Sequence, residues 1–81
     1  MTVTVRYAAQ ARTAAGQESE RVELVEGASV QDLLKSLADR YGNGVFLHPS
    51  TLVFVGDEQA GRRQSLQSGE EVTVLTPISG G

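Results

Sequence analysis

Between Ser29 and Gly42 the apolar residues Val30, Leu33, Leu34, Leu37, Ala38 and Tyr41 recur at intervals of three and four, laying one continuous apolar stripe along a helix. Such a stripe must be covered, and the flanking sequence offers only short alternating runs to cover it. The chain is thereby constrained to one helix packed on one face of a small sheet. The helix carries its own boundary signals. Ser29 is placed to cap its start, with Asp32 three residues on as a shorter relative of the Glu or Gln of a capping box. Gly42 follows its last periodic residue and is able to take the left-handed conformation that closes helices.

The flanking runs read as strands. Thr2-Val3-Thr4-Val5-Arg6-Tyr7 alternates with Val3, Val5 and Tyr7 on one side, and Glu20 to Val25 alternates again through Val22 and Leu24 before the turn Glu26-Gly27. These two are expected to pair as a hairpin, with residues 8–17 as a loop containing a brief helical piece. After the helix, residues 43–50 read as a connecting loop. Thr51-Leu52-Val53-Phe54-Val55 reads as a well-covered strand between Pro49 and Gly56-Asp57. Residues 57–68 are polar and turn-rich, with room for a single helical turn. In the last run, Glu70 to Thr76, Val72 and Val74 face inward while Thr73 and Leu75 face away. Hairpin, helix, strand, strand is the order of an α+β, ubiquitin-like β-grasp: a mixed sheet with one main helix on one face and the last strand parallel to the first.

With 81 residues the chain is expected to form a single domain over residues 1–76. Pro77, which cannot donate a ladder hydrogen bond, ends the last strand and leaves residues 77–81 as a flexible Gly-Gly tail. On composition alone, a frayed terminus explains that tail as well as a working one does. Cysteine is absent, so no thiol nucleophile, thiolate metal site or disulfide is available. The net charge of -3 is spread in alternating signs, which argues against a nucleic-acid surface. The one basic doublet, Arg62-Arg63, reads as a solvated turn. No segment approaches the roughly 20 apolar residues of a membrane span, and the alternating start lacks a signal-peptide pattern; a cytoplasmic protein is expected. His48 has no second ligand type at a metal-like spacing, Glu70-Glu71 reads as an acidic turn, and Ser29 and Ser79 have no base in a recognisable arrangement.

Val5-Arg6-Tyr7-Ala8 followed by Arg12 and Ala14-Ala15-Gly16, the capped helix with Leu33, Leu34 and Leu37, the lead-in Gly69-Glu70-Glu71-Val72 and the ending Pro77-Ile78-Ser79-Gly80-Gly81 together resemble the MoaD/ThiS family of ubiquitin-like sulfur carriers. Within that family the resemblance points to the small subunits of molybdopterin synthase. Those subunits often carry two prolines before the tail, whereas Thr76 stands here in the first position. The resemblance implies that Gly81 is the reacting residue, adenylated and then thiocarboxylated at its carboxylate, and that Pro77, Ile78, Ser79 and Gly80 form the tail that delivers it. It also implies an E1-like adenylating enzyme that uses ATP and Mg²⁺, a persulfide protein as sulfur donor, and a molybdopterin synthase large subunit as acceptor. The chain itself would hold no cofactor or metal and contribute no catalytic side chain. Leu75, together with Ile78, is expected to dock partners on the sheet face away from the helix, unless residues 57–68 cover it. Sulfur delivery to thiamine, cysteine or tRNA thiolation, conjugation to lysine as a protein modifier, and an interaction domain with an inert tail remain the alternatives.

Overall fold

In the computed structural model, which describes residues 1–77, the Ser29 hydroxyl accepts from the Asp32 N–H at 3.2 Å while the Asp32 carboxylate accepts from the Ser29 N–H at 2.9 Å. Asp thus closes a full capping box despite its shorter reach, and the hydrogen bond from the Ser29 backbone holds its carboxyl below the ordinary range. Helix Val30–Tyr41 follows, closed by Gly42 in the left-handed region. Its other first-turn donors are satisfied from outside: Val30 N–H bonds the Gln64 carbonyl and Gln31 N–H the Arg62 carbonyl, each at 2.9 Å.

The strands are β1 (Thr2–Ala9), β2 (Ser19–Glu23), β3 (Leu52–Val55), β4 (Glu58–Gln59) and β5 (Glu71–Thr76), in the sheet order β2-β1-β5-β3-β4. Helix α1 (Gln10–Ala15) lies between β1 and β2, and α2 is the capped helix Val30–Tyr41. β1 and β5 are parallel, and the remaining pairs are antiparallel. This is the β-grasp arrangement. Val3, Val5, Val22, Val53, Val72 and Val74 of the sheet join Leu33, Leu34 and Leu37 of α2 in one buried cluster. Full burial of each such leucine stabilises the fold by about 1.5–3 kcal/mol.

Several boundaries differ from the sequence-based expectation. β1 runs on to Ala9, and the loop expected after it is mostly α1, a six-residue helix that buries Ala11 and Ala15 and closes on a left-handed Gly16. β2 stops at Glu23, where the Leu24 N–H turns to the Met1 carbonyl and Val25 is left 78% exposed. The connecting loop contains a 3₁₀ turn, Gly44–Leu47, whose start is fixed by the Asn43 side chain accepting from Val45 N–H, and it buries Phe46 completely. The segment after β3 forms the two-residue β4 in place of a helical turn, and buries Ala60 and Leu66. Arg62 departs from the solvated doublet: its guanidinium donates to the carbonyls of Thr51 at 2.9 Å and His48 at 3.2 Å.

One polar cluster joins three elements. The Glu20 carboxylate of β2 accepts from the Tyr7 hydroxyl of β1 at 2.5 Å, from the Tyr41 hydroxyl of α2, and from Arg40 at 2.6 Å. Burial raises the Glu20 pKa, but the donors from Tyr41, Tyr7 and Arg40 outweigh it and the net value lies below the ordinary 4.5. A depressed carboxylate contributes stability that is fully present above its unfolded pKa and is lost as pH falls through the folded one. Glu20→Gln should therefore cost about 1.5–3 kcal/mol at pH 7, the range for hydrogen bonds to charged groups, and should flatten the loss of stability on acidification. Urea unfolding at neutral pH and in acid measures both. Parallel acid losses in the variant and the native chain would refute the assignment.

Candidate functional site

The chain leaves the sheet from its central strand. β5 lies between β1 and β3, pairing Thr76 with Ala9 and Leu75 with both Ala8 and Leu52. Thr76 is the last strand residue, and Pro77, which follows it, is exposed. Proline also restricts the residue before it to extended conformations. Thr76 is 3% exposed and shares a 2.8 Å hydrogen bond with Thr51, itself buried, whose hydroxyl bonds the Val45 carbonyl at 2.7 Å. A hollow of about 170 Å³ beside this point is lined by Gln10, Val45, His48, Ser50, Thr76 and Pro77. Among the expected tail residues, Ile78, Ser79, Gly80 and Gly81 lie outside the described residues.

Leu75 stands half-buried on the face away from α2. Its cross-strand neighbours Leu52 and Ala8 and the diagonal neighbour Phe54 are on the same face, and all are partly exposed. An apolar strip thus crosses the middle of this sheet face from β1 to β3, with its centre on β5, the strand that leads into the tail. The Arg6–Glu71 ion pair, at 3.0 Å, borders it. Residues 62–66 form their backbone bonds with Ala28, Val30 and Gln31, at the start of α2. Leu52 and Phe54 were legible as strand residues, but their place beside Leu75 depends on a register the sequence alone does not supply.

The remaining polar candidates have local partners. His48 is exposed and its Nδ1 accepts from the Ser50 N–H at 3.1 Å. Ser29 is occupied as the cap of α2. Glu70 accepts from the Gln67 N–H at 2.6 Å, closing the turn before β5, and Glu71 pairs with Arg6. Among the described residues, no three His, Cys, Asp or Glu side chains come together as a metal site, and no helix is long and apolar enough to cross a membrane.

The molybdopterin synthase sulfur carrier subunit of Chlamydomonas reinhardtii is 31% identical over an alignment that spans both chains completely. A solved structure of a putative molybdopterin converting factor, subunit 1, from Pyrococcus furiosus superposes with a TM-score of 0.82 at 27% identity, covering 96% of this chain and 99% of its own. A chain of the BexX/CysO complex of Amycolatopsis orientalis superposes with a TM-score of 0.68 at 27% identity, covering 98% of this chain and 99% of its own. The sequence model of the ThiS family matches residues 5–81. On that match, and on a relative 31% identical over the whole of both chains, the chain belongs to the ThiS family, the ubiquitin-like sulfur carriers that its sequence resembles.

Proposed function

We propose that this protein carries sulfur as a thiocarboxylate on Gly81 and delivers it in molybdopterin synthesis. The observation that carries the reading is the course of β5: a central strand, itself part of a partly exposed apolar strip, runs directly into Pro77 and a sequence ending in Gly80-Gly81. Molybdopterin is favoured over the thiamine, cysteine and tRNA pathways by the Chlamydomonas and Pyrococcus relatives, both described by that chemistry.

A carboxylate is a poor electrophile and needs a better leaving group. An E1-like enzyme supplies one by letting a Gly81 carboxylate oxygen attack the α-phosphorus of ATP; pyrophosphate departs and an acyl adenylate forms. Mg²⁺ in that enzyme's site neutralises the phosphate charge. The terminal sulfur of a donor persulfide then attacks the acyl carbon and expels AMP, leaving an acyl disulfide. A thiol reduces that disulfide by two electrons and frees the thiocarboxylate, which the large subunit of molybdopterin synthase consumes. The carrier's own part is to present the terminus and to dock: Leu75, with Leu52 and Phe54 on the sheet and Ile78 on the tail, forms the apolar contact.

Incubation of the full chain with an E1-like adenylating enzyme, ATP, Mg²⁺ and a persulfide donor, followed by intact-mass analysis, tests the proposal. The expected product is free chain heavier by the exchange of one oxygen for sulfur. Conjugates that survive reduction and denaturation would show a protein modifier instead, and an unchanged mass an inert tail. In the same assay Leu75→Glu should raise KM at least about tenfold, equivalent to about 1.4 kcal/mol of lost binding; an unchanged KM would remove Leu75 from the docking surface.

A further inference from the structure

The hydroxyl chain at the end of β5 has a direction. Each threonine has one hydroxyl proton to give. Thr51 donates its proton to the Val45 carbonyl at 2.7 Å, so the proton in the 2.8 Å Thr51–Thr76 contact comes from Thr76. The sequence of bonds is Thr76 hydroxyl to Thr51 hydroxyl to the carbonyl of the 3₁₀ turn. Thr51 is held from its other side, where Arg62 donates to its backbone carbonyl at 2.9 Å. Across the parallel ladder, Thr76 faces Ala9. Ala9 sits at φ 56°, ψ -130°, a backbone conformation that is costly for any residue with a Cβ and persists only where the surroundings impose it.

These contacts converge on one residue, the last before the tail. Burying two hydroxyls there adds little apolar packing. It does fix where the chain stops being strand. Every strand residue that frays adds about 3.3 Å of slack to the exiting segment, together with conformational freedom that must be removed again when the terminus is positioned. Reactive geometry is intolerant of such slack, since a misplacement of about 1 Å can cost a hundredfold in rate.

We propose that the Thr76–Thr51–Val45 relay is a length gauge: it pins the departure point at Thr76 and so holds constant the reach of the tail to the enzyme that activates it. Thr76 is a positioning residue in this role, which rests on the sulfur-carrier reading above. Thr76→Val is the clean test. Valine matches threonine in shape, and Thr51 keeps Val45 as its acceptor, so no buried donor is orphaned.

In the full-length chain, amide exchange at Leu75 and Thr76 should quicken about tenfold in Thr76→Val, as expected from losing one hydrogen bond, while Val72 exchanges as before. With the E1-like adenylating enzyme, ATP and Mg²⁺, kcat for pyrophosphate release should fall about tenfold while KM stays within about twofold, because docking through the sheet is intact. Thr76→Ser, which retains the hydroxyl, should restore kcat. Unchanged exchange and kcat in Thr76→Val, or a rise in KM at unchanged kcat, overturns the gauge. If the wild-type chain is itself never adenylated, the carrier reading fails and the gauge with it. Wild-type activity that Thr76→Val shares in full sinks the gauge alone.

Discussion

Gly81→Ala, or a single residue added after Gly81, is expected to lower thiocarboxylate formation by at least about a hundredfold, the scale of loss that a small misplacement of reacting atoms produces. The two changes act by different routes. An added residue converts the Gly81 carboxylate into a peptide amide, which has no oxygen able to attack the α-phosphorus of ATP, and moves the new carboxylate about 3.3 Å further along an extended chain. Alanine keeps the carboxylate but puts a methyl group beside the reacting carbon, where glycine permits close approach and backbone conformations denied to other residues. Terminal residues commonly add little to a domain's stability, and neither change is expected to move the unfolding midpoint. Intact-mass analysis after activation reads the first effect, and urea unfolding the second. Full sulfur loading of the extended chain would remove Gly81 from the reaction altogether.

The features readable from the sequence were those whose determinants lie close together in the chain. Ser29, Asp32 and Gly42 bound α2 because capping acts over three or four residues, and Val72 and Val74 turn inward because a strand's alternation is local. Leu75 could be assigned to the open face by the same alternation. Its neighbours could not, because Leu52 and Ala8 reach it through pairings 23 and 67 residues apart. The Thr51–Thr76 hydrogen bond was invisible for a related reason. A buried threonine and a solvated one look alike in sequence, and only the closing of β3 onto β5 brings these two, 25 residues apart, within reach. Glu20 illustrates the same limit from the side of charge: an acidic residue at the start of an edge strand suggests solvent, yet α2 delivers Arg40 and Tyr41 to it. Arg62 reads as solvated because half of a basic doublet carries no sign that two carbonyls wait for it.

Phe46 lies in what the sequence presents as a connecting loop, because a four-residue 3₁₀ turn is too short to show a period. It is nevertheless among the largest fully buried side chains. Its ring lies 6.1 Å from that of Tyr7 at 65° and 5.8 Å from that of Tyr41 at 34°, while Tyr7 and Tyr41 meet edge to face at 6.3 Å. Phe46 therefore fills the space between β1 and the end of α2, under the same tyrosines that donate to Glu20. Phe46→Ala should cost about 3–5 kcal/mol, the usual loss when a buried phenylalanine leaves a cavity. A chain of 81 residues has a total stability of roughly 4–12 kcal/mol at 0.05–0.15 kcal/mol per residue. The variant should thus unfold at least about 12 °C lower, at about 4–8 °C per kcal/mol for a domain of this size. Phe46→Leu, which refills part of the cavity, should recover much of the loss. Thermal unfolding followed by circular dichroism decides between the two views of this segment. A loop that merely joins α2 to β3 would tolerate alanine within about 0.5 kcal/mol, as surface sites do, whereas a turn that supplies a wall of the core will not.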